Sequence, residues 1–161
     1  MIKIVTGPIN TGKTTWLFED YKSKENADGF ACRKIRANDE HIGYELVQLS
    51  TGKTCHFISK VDRIPQNWNE VFRLGKHYSF NKEGLEFAKN IVESSLEKSV
   101  KCFYLDELGH LELKGSGFAD ILKRLLKEKI DLVLVIREGL LEQMCKAFEI
   151  NDYEIIRPNL L

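Results

Sequence analysis

The period of the hydrophobic positions changes several times along the chain, and each change marks an element. Residues Ile2 to Thr6 form a β-branched run closed by Gly7-Pro8, and Lys13 to Lys24 then carries Trp16, Leu17 and Phe18 on a helical pattern. This predicts a strand, a tight loop and a helix. Gly29 to Ile35, Gly43 to Leu49 and Thr54 to Ser59 alternate or are β-branched, with turn-forming Ala37-Asn38-Asp39-Glu40 and Ser50-Thr51-Gly52-Lys53 between them. Parallel crossovers need about a dozen residues or more, so these connectors predict an antiparallel meander, roughly 29–59, beside or on the edge of a main sheet. Asp62 to Lys76 has no clear period and fits an ordered loop or a short helical turn.

From Asn81 the pattern becomes regular: helix Lys82 to Ser95, strand Lys101 to Asp106, helix Gly117 to Lys127, strand Leu132 to Ile136, helix Gly139 to Phe148 and strand Tyr153 to Ile156. Helices alternating with strands predict right-handed crossovers onto a mostly parallel sheet covered by helices on both faces. The expected fold class is therefore α/β, a three-layer sandwich with an antiparallel β insertion. With 161 residues, no internal repeat and no linker-like tract, residues 1–161 read as a single domain.

Composition narrows the partners. The 24 basic and 24 acidic residues cancel, so no global field favours a polyanion, which argues against a nucleic-acid partner. No apolar stretch approaches the roughly 20 residues needed to cross a bilayer, and the chain opens without a signal-peptide pattern, so no membrane association is expected. Cys32, Cys55, Cys102 and Cys145 are widely spaced, without a CxxC pair or a histidine at zinc-ligand spacing. They read as buried thiols in a reduced, cytoplasmic protein, expected to be a monomer or a weak homo-oligomer.

Chemistry enters at Gly7-Pro8-Ile9-Asn10-Thr11-Gly12-Lys13-Thr14, followed by Thr15. These residues satisfy GxxxxGK[ST] between the first strand and the first helix. Backbone N–H groups in such a loop point at phosphate oxygens, and the helix dipole adds to the attraction. Lys13 is placed to reach the β- and γ-phosphates of a nucleoside triphosphate, and the Thr14 hydroxyl to ligate Mg2+. The apolar run Val100 to Asp106 ends in adjacent acids where ligands sit in open α/β sheets. Asp106 is expected to hold a magnesium-bound water, and Glu107 to polarise the water attacking the γ-phosphate. Arg137, after the strand LVLVI, either reaches the triphosphate and stabilises transition-state charge or pairs with Glu138 or Glu142. Glu112 and Asp120 read as surface or capping groups, the four histidines show no dyad spacing, and Asn159 is a candidate base contact in the tail.

The loop GPINTGKTT, the Gly29-Phe30 pair, the Gly43-Tyr44 step followed by Leu49 and Gly52, and LDELGHLEL with Phe118 downstream resemble the thermostable nucleoside-triphosphatase family. These are P-loop NTPases related to nucleotide kinases. The most specific signature is DE-x-G-x-x-EL, at Asp106, Glu107, Gly109, Glu112 and Leu113. The resemblance implies magnesium-dependent hydrolysis of ATP, GTP, CTP and UTP to the diphosphate, with broad base selectivity because recognition goes mainly to phosphates and metal. The family usually has glycine at Asn10, an arginine at His41 and a closing Asn-Arg where this chain has Asn159-Leu160. Two other readings stay open: a kinase whose meander or Asp62 to Lys76 segment holds a phosphate acceptor, and a nucleotide-dependent switch or nucleic-acid-associated module.

Overall fold

Alternate side chains of a strand point to opposite faces of its sheet, and here both sets are buried. Ile4, Phe103, Leu105, Leu132, Leu134 and Ile136 pack into one core, while Val5, Tyr104, Val133 and Val135 pack into a second with Leu17. The computed structural model, which describes residues 1–158, resolves this into three layers. In chain order they are built from β1 (Ile2–Val5), α1 (Lys13–Lys22), β2 (Ala27–Ala37), β3 (Glu40–Gln48), β4 (Thr54–Lys60), a 3₁₀ turn (Val61–Arg63), β5 (Glu70–Leu74) and β6 (Tyr78–Asn81). There follow α2 (Lys82–Glu97), β7 (Cys102–Leu108), α3 (His110–Leu113), α4 (Ala119–Leu126), β8 (Asp131–Ile136), α5 (Leu141–Ala147) and β9 (Glu154–Ile156).

Helix α1 covers one face through Leu17, with Trp16, Phe18 and Tyr21 around it. The Tyr104 hydroxyl donates to Asp20 Oδ2 at 2.7 Å, pinning that helix to β7. The other helices cover the opposite face, with Ala88, Ile91 and Val92 of α2, Leu122 and Leu125 of α4 and Met144 of α5 in its core. Phe118 stands at the centre of that side, 5.0 Å from Phe30 and 5.3 Å from Phe57 between ring centroids.

One nine-stranded sheet runs in the order β5-β6-β4-β3-β2-β7-β8-β1-β9. From β2 to β9 every neighbouring pair is parallel, and from β2 to β5 every pair is antiparallel. Strand β2 joins the halves: Ala27 to Phe30 pair with β7, and Phe30 to Ala37 pair with β3. Gly29 permits this, since a Cβ there would lie 2.3 Å from the Tyr104 carbonyl oxygen and its φ is +147°. The expected meander thus begins two residues earlier than its sequence pattern and continues the main sheet. It also runs on beyond Ser59. The Asp62 to Lys76 segment supplies a 3₁₀ turn and strand β5, and β6 follows it, so the loop or helical turn fitted to that pattern gives way to an edge hairpin. Its strands do alternate, with Phe72 and Leu74 on one and Tyr78 and Phe80 on the other, but at five and four residues they are too short to give a clear period.

Candidate active site

The phosphate-binding candidate lies where β1 passes into α1. Gly7 has φ +154° and Gly12 φ +79°, conformations that suit glycine, and Asn10 sits at +61°. Asparagine is among the few side chains that tolerate this left-handed region. Helix α1 has no side-chain cap and no acid in its first turn, so its leading N–H groups stay available to an anion. Lys13 Nζ curls back and donates to the carbonyls of Gly7 at 2.9 Å and Pro8 at 2.7 Å. Thr11 Oγ1 also donates to the Pro8 carbonyl, at 2.7 Å.

The two acids come from β7, with β8 between it and β1. Asp106 is fully buried. Its Oδ2 accepts from the Cys32 N–H at 2.8 Å and from Thr14 Oγ1 at 3.2 Å, and its Oδ1 accepts from the Glu107 N–H at 2.9 Å. Burial, then the neighbouring Glu107 charge, push its carboxyl upward, opposed by the hydrogen bonds from Cys32, Thr14 and Glu107. Glu107 interrupts the ladder: the register with β8 shifts between Leu105 and Leu108, and its φ is +62°. A bulge with a left-handed non-glycine residue re-aims a side chain at a cost of about 1–3 kcal/mol. The re-aimed carboxylate reaches solvent through the cleft and is crowded by protein on its other sides. Desolvation raises its pKa, while Lys13, Arg137 and Lys34 pull it down.

Arg137 follows β8, so the topology sets it between the β1 loop and the β7 acids. Its backbone N–H donates to the Leu108 carbonyl at 2.9 Å, and its exposed side chain lines the cleft. Among the described residues it forms no ion pair with Glu138 or Glu142. Gly7 through Thr15, Glu107 and Arg137 share one cleft of about 1120 Å³, and Asp106 lies behind its wall against Thr14.

The signature's third acid is structural. Glu112 is buried; Oε1 accepts from the Gly109 N–H at 2.7 Å and Oε2 from the Phe118 N–H at 3.0 Å. It therefore ties together the loop behind Glu107, as its capping reading expected. Asp120 is exposed at the start of α4. Asn159 lies outside the described residues. Cys32, Cys102 and Cys145 are buried, but Cys55 is only half-buried on β4, because the antiparallel half is less deeply covered there. All four are free thiols.

Sequence reasoning missed the wall contributed by β2 and β3. Lys34 Nζ donates to Asn10 Oδ1 at 2.9 Å across the loop, and Arg36 and Tyr44 line the same cleft. Among scattered surface charges nothing in spacing distinguished Lys34 or Arg36, and Tyr44 carried no site role within the family resemblance; only the pairing of β2 with β7 brings this wall to the cleft.

Comparison with known proteins bears on the family and the fold. A family profile described as NTPase matches residues 3–159. The chain is 29% identical over 152 residues to the nucleoside-triphosphatase THEP1 of Archaeoglobus fulgidus, covering 91% of this chain and 85% of that one. It is 25% identical over 170 residues to a mouse (Mus musculus) protein called cancer-related nucleoside-triphosphatase homolog, covering 96% and 88%. The crystal structure of THEP1 from Aquifex aeolicus superimposes with a TM-score of 0.73 at 23% identity, over 98% of this chain and 90% of that one, which shows a shared fold.

Proposed function

This chain belongs to the NTPase family, and on that premise we propose that it is a nucleoside-triphosphate hydrolase, cleaving ATP, GTP, CTP and UTP to the diphosphate and phosphate with Mg2+. The observation that carries the reading is the meeting of Thr14 Oγ1 and Asp106 Oδ2 at 3.2 Å, with Glu107 turned by its bulge into the same cleft. One hydroxyl with a single carboxylate behind it suits an ion that keeps waters and takes phosphate oxygens, as Mg2+ does; among the described residues no cluster of three metal-binding side chains exists. Bound there, Mg2+ would neutralise charge on the β- and γ-phosphates.

The chain's own residues then have distinct tasks. The N–H groups of the loop from Gly7 to Thr15 and the open α1 N-terminus hold the phosphates. Lys13 exchanges its two carbonyl partners for phosphate oxygens, a stronger charge-assisted contact. Thr14 would supply the metal's protein oxygen, and Asp106, hydrogen-bonded to Thr14 from behind the wall, would hold a metal-bound water. Glu107 accepts the proton of the attacking water, and Arg137 offsets charge developing on the transferred phosphate. Recognition through phosphates and metal explains acceptance of all four bases.

The continuous sheet supports reading the chain as a single domain. The free thiols suit a reduced, cytoplasmic setting, and among the described residues no helix is long and apolar enough to cross a membrane. The deciding experiment is phosphate release from each of the four triphosphates with and without Mg2+. Magnesium-dependent release from all four is expected, and silence with every nucleotide would overturn the assignment.

A further inference from the structure

The cleft has a second half of another character. Strand register sets Lys34 opposite Tyr44, Tyr44 opposite Ile58, and Ile58 opposite Phe80, so one row of side chains runs outward from the loop on a single sheet face. All four line the cleft, with Tyr78 and Arg36 beside them. The rings of Tyr44 and Tyr78 stand 6.3 Å apart at an interplanar angle of 54°, and His41 packs edge-on against Tyr44 at 4.8 Å. Phosphate recognition needs none of this aromatic and apolar surface, which is what ring-binding pockets display. A cation stands with it: Arg33 is committed to Glu45, whereas Arg36 has no ion pair among the described residues.

The direction of the nucleotide decides what this chamber can hold, and here the argument rests on the reading of the phosphate site given above. Thr14, Asp106 and Glu107 mark the terminal-phosphate end. In the sheet, β7 with its acids lies between the loop strand β1 and the chamber strands β3, β4 and β6. A triphosphate anchored in the loop with its γ-phosphate at Glu107 sends ribose and base away from β7. The chamber then remains open beyond the terminal phosphate, next to Tyr44, close enough to Glu107 and Arg137 to feel both charges.

We propose that this chamber is a second ligand site, which takes a small planar aromatic compound carrying an anionic group and is filled together with the triphosphate. The ring lies against Tyr44 and Tyr78, and the anion meets Arg36.

The test uses the full chain saturated with Mg2+ and a non-hydrolysable ATP analogue, titrated with phenyl phosphate and with cytidine monophosphate while calorimetry records binding. Saturable binding of at least one probe, one per chain, is expected, weakened about tenfold or more by Arg36→Ala and by Tyr44→Ala while analogue affinity is unchanged. Arg36 is exposed and makes no hydrogen bond through its side chain among the described residues, so its variant keeps the fold even where Tyr44→Ala fails to. No probe binding to the loaded chain, binding that the analogue abolishes, or binding indifferent to Arg36→Ala would each overturn the proposal. Failure of the analogue itself to bind would instead bring down the phosphate-site reading on which the proposal rests.

Discussion

Glu107 illustrates how a single residue acquires a role that its neighbour lacks. Asp106 and Glu107 are adjacent acids, yet one is sealed beneath the loop by three hydrogen bonds and the other is swung into the cleft by a left-handed backbone. Glu107→Gln removes the proposed proton acceptor and little else. We expect turnover to fall by about 10²–10⁴-fold, with nucleotide affinity kept, in parallel measurements of phosphate release and fluorescent-nucleotide binding. A normal rate would dismiss it as the base. Lys13→Ala should act the other way round. Losing charge-assisted bonds of about 1.5–3 kcal/mol weakens triphosphate binding about tenfold to hundredfold, readable in the same titration. The loop and both acids were legible in sequence because their spacing is itself the chemical requirement. Lys34 and Arg36 were not, since a lysine and an arginine on a strand have no signature until a neighbouring strand gives them a direction, and Tyr44 stood out only within the family resemblance, without a role.

The connection from β7 through α3 to α4 is one unit built around the Glu112 carboxylate. Its two oxygens each hold a backbone N–H, and Gly117 makes room for it: a Cβ there would lie 2.0 Å from Oε2, at a φ of +60°. Glu112→Ala leaves two buried N–H groups without partners, so a loss of about 2–5 kcal/mol in urea unfolding is expected. A wild-type urea midpoint would refute that assignment. Gly117→Ala, strained and overlapping the carboxylate, should cost about 1–3 kcal/mol or more in the same assay. The contrast with Glu107→Gln separates an acid that shapes the site from one proposed to work in it. At this scale sequence periodicity located the long elements well, α1 and α2 above all. It missed β5 and β6, because strands of five and four residues are too short for their alternation to stand out.

Across the whole molecule, strand β2 makes one sheet of a parallel and an antiparallel half, and this has a consequence for unfolding. Trp16 on α1 reports the parallel half, and Trp68, whose indole N–H donates to Ser79 Oγ at 2.9 Å, reports the antiparallel half. If the chain is one domain, variants carrying only one of the two tryptophans should unfold in urea at the same midpoint; separate transitions would divide it. The sequence alone determined the loop, the acid-ended strand and the alternation of helices with strands, because each rests on interactions between near neighbours: a tight turn, a helix start, an apolar period. Which strands lie side by side was decided only by tertiary structure. Placing β8 between β1 and β7 put Arg137 between loop and acids, and pairing β2 with β7 carried Lys34 to the loop and Tyr44 to the second half of the cleft. Those placements depend on contacts between residues tens of positions apart, and the free energy of burying both sheet faces, rather than any local preference, selects them.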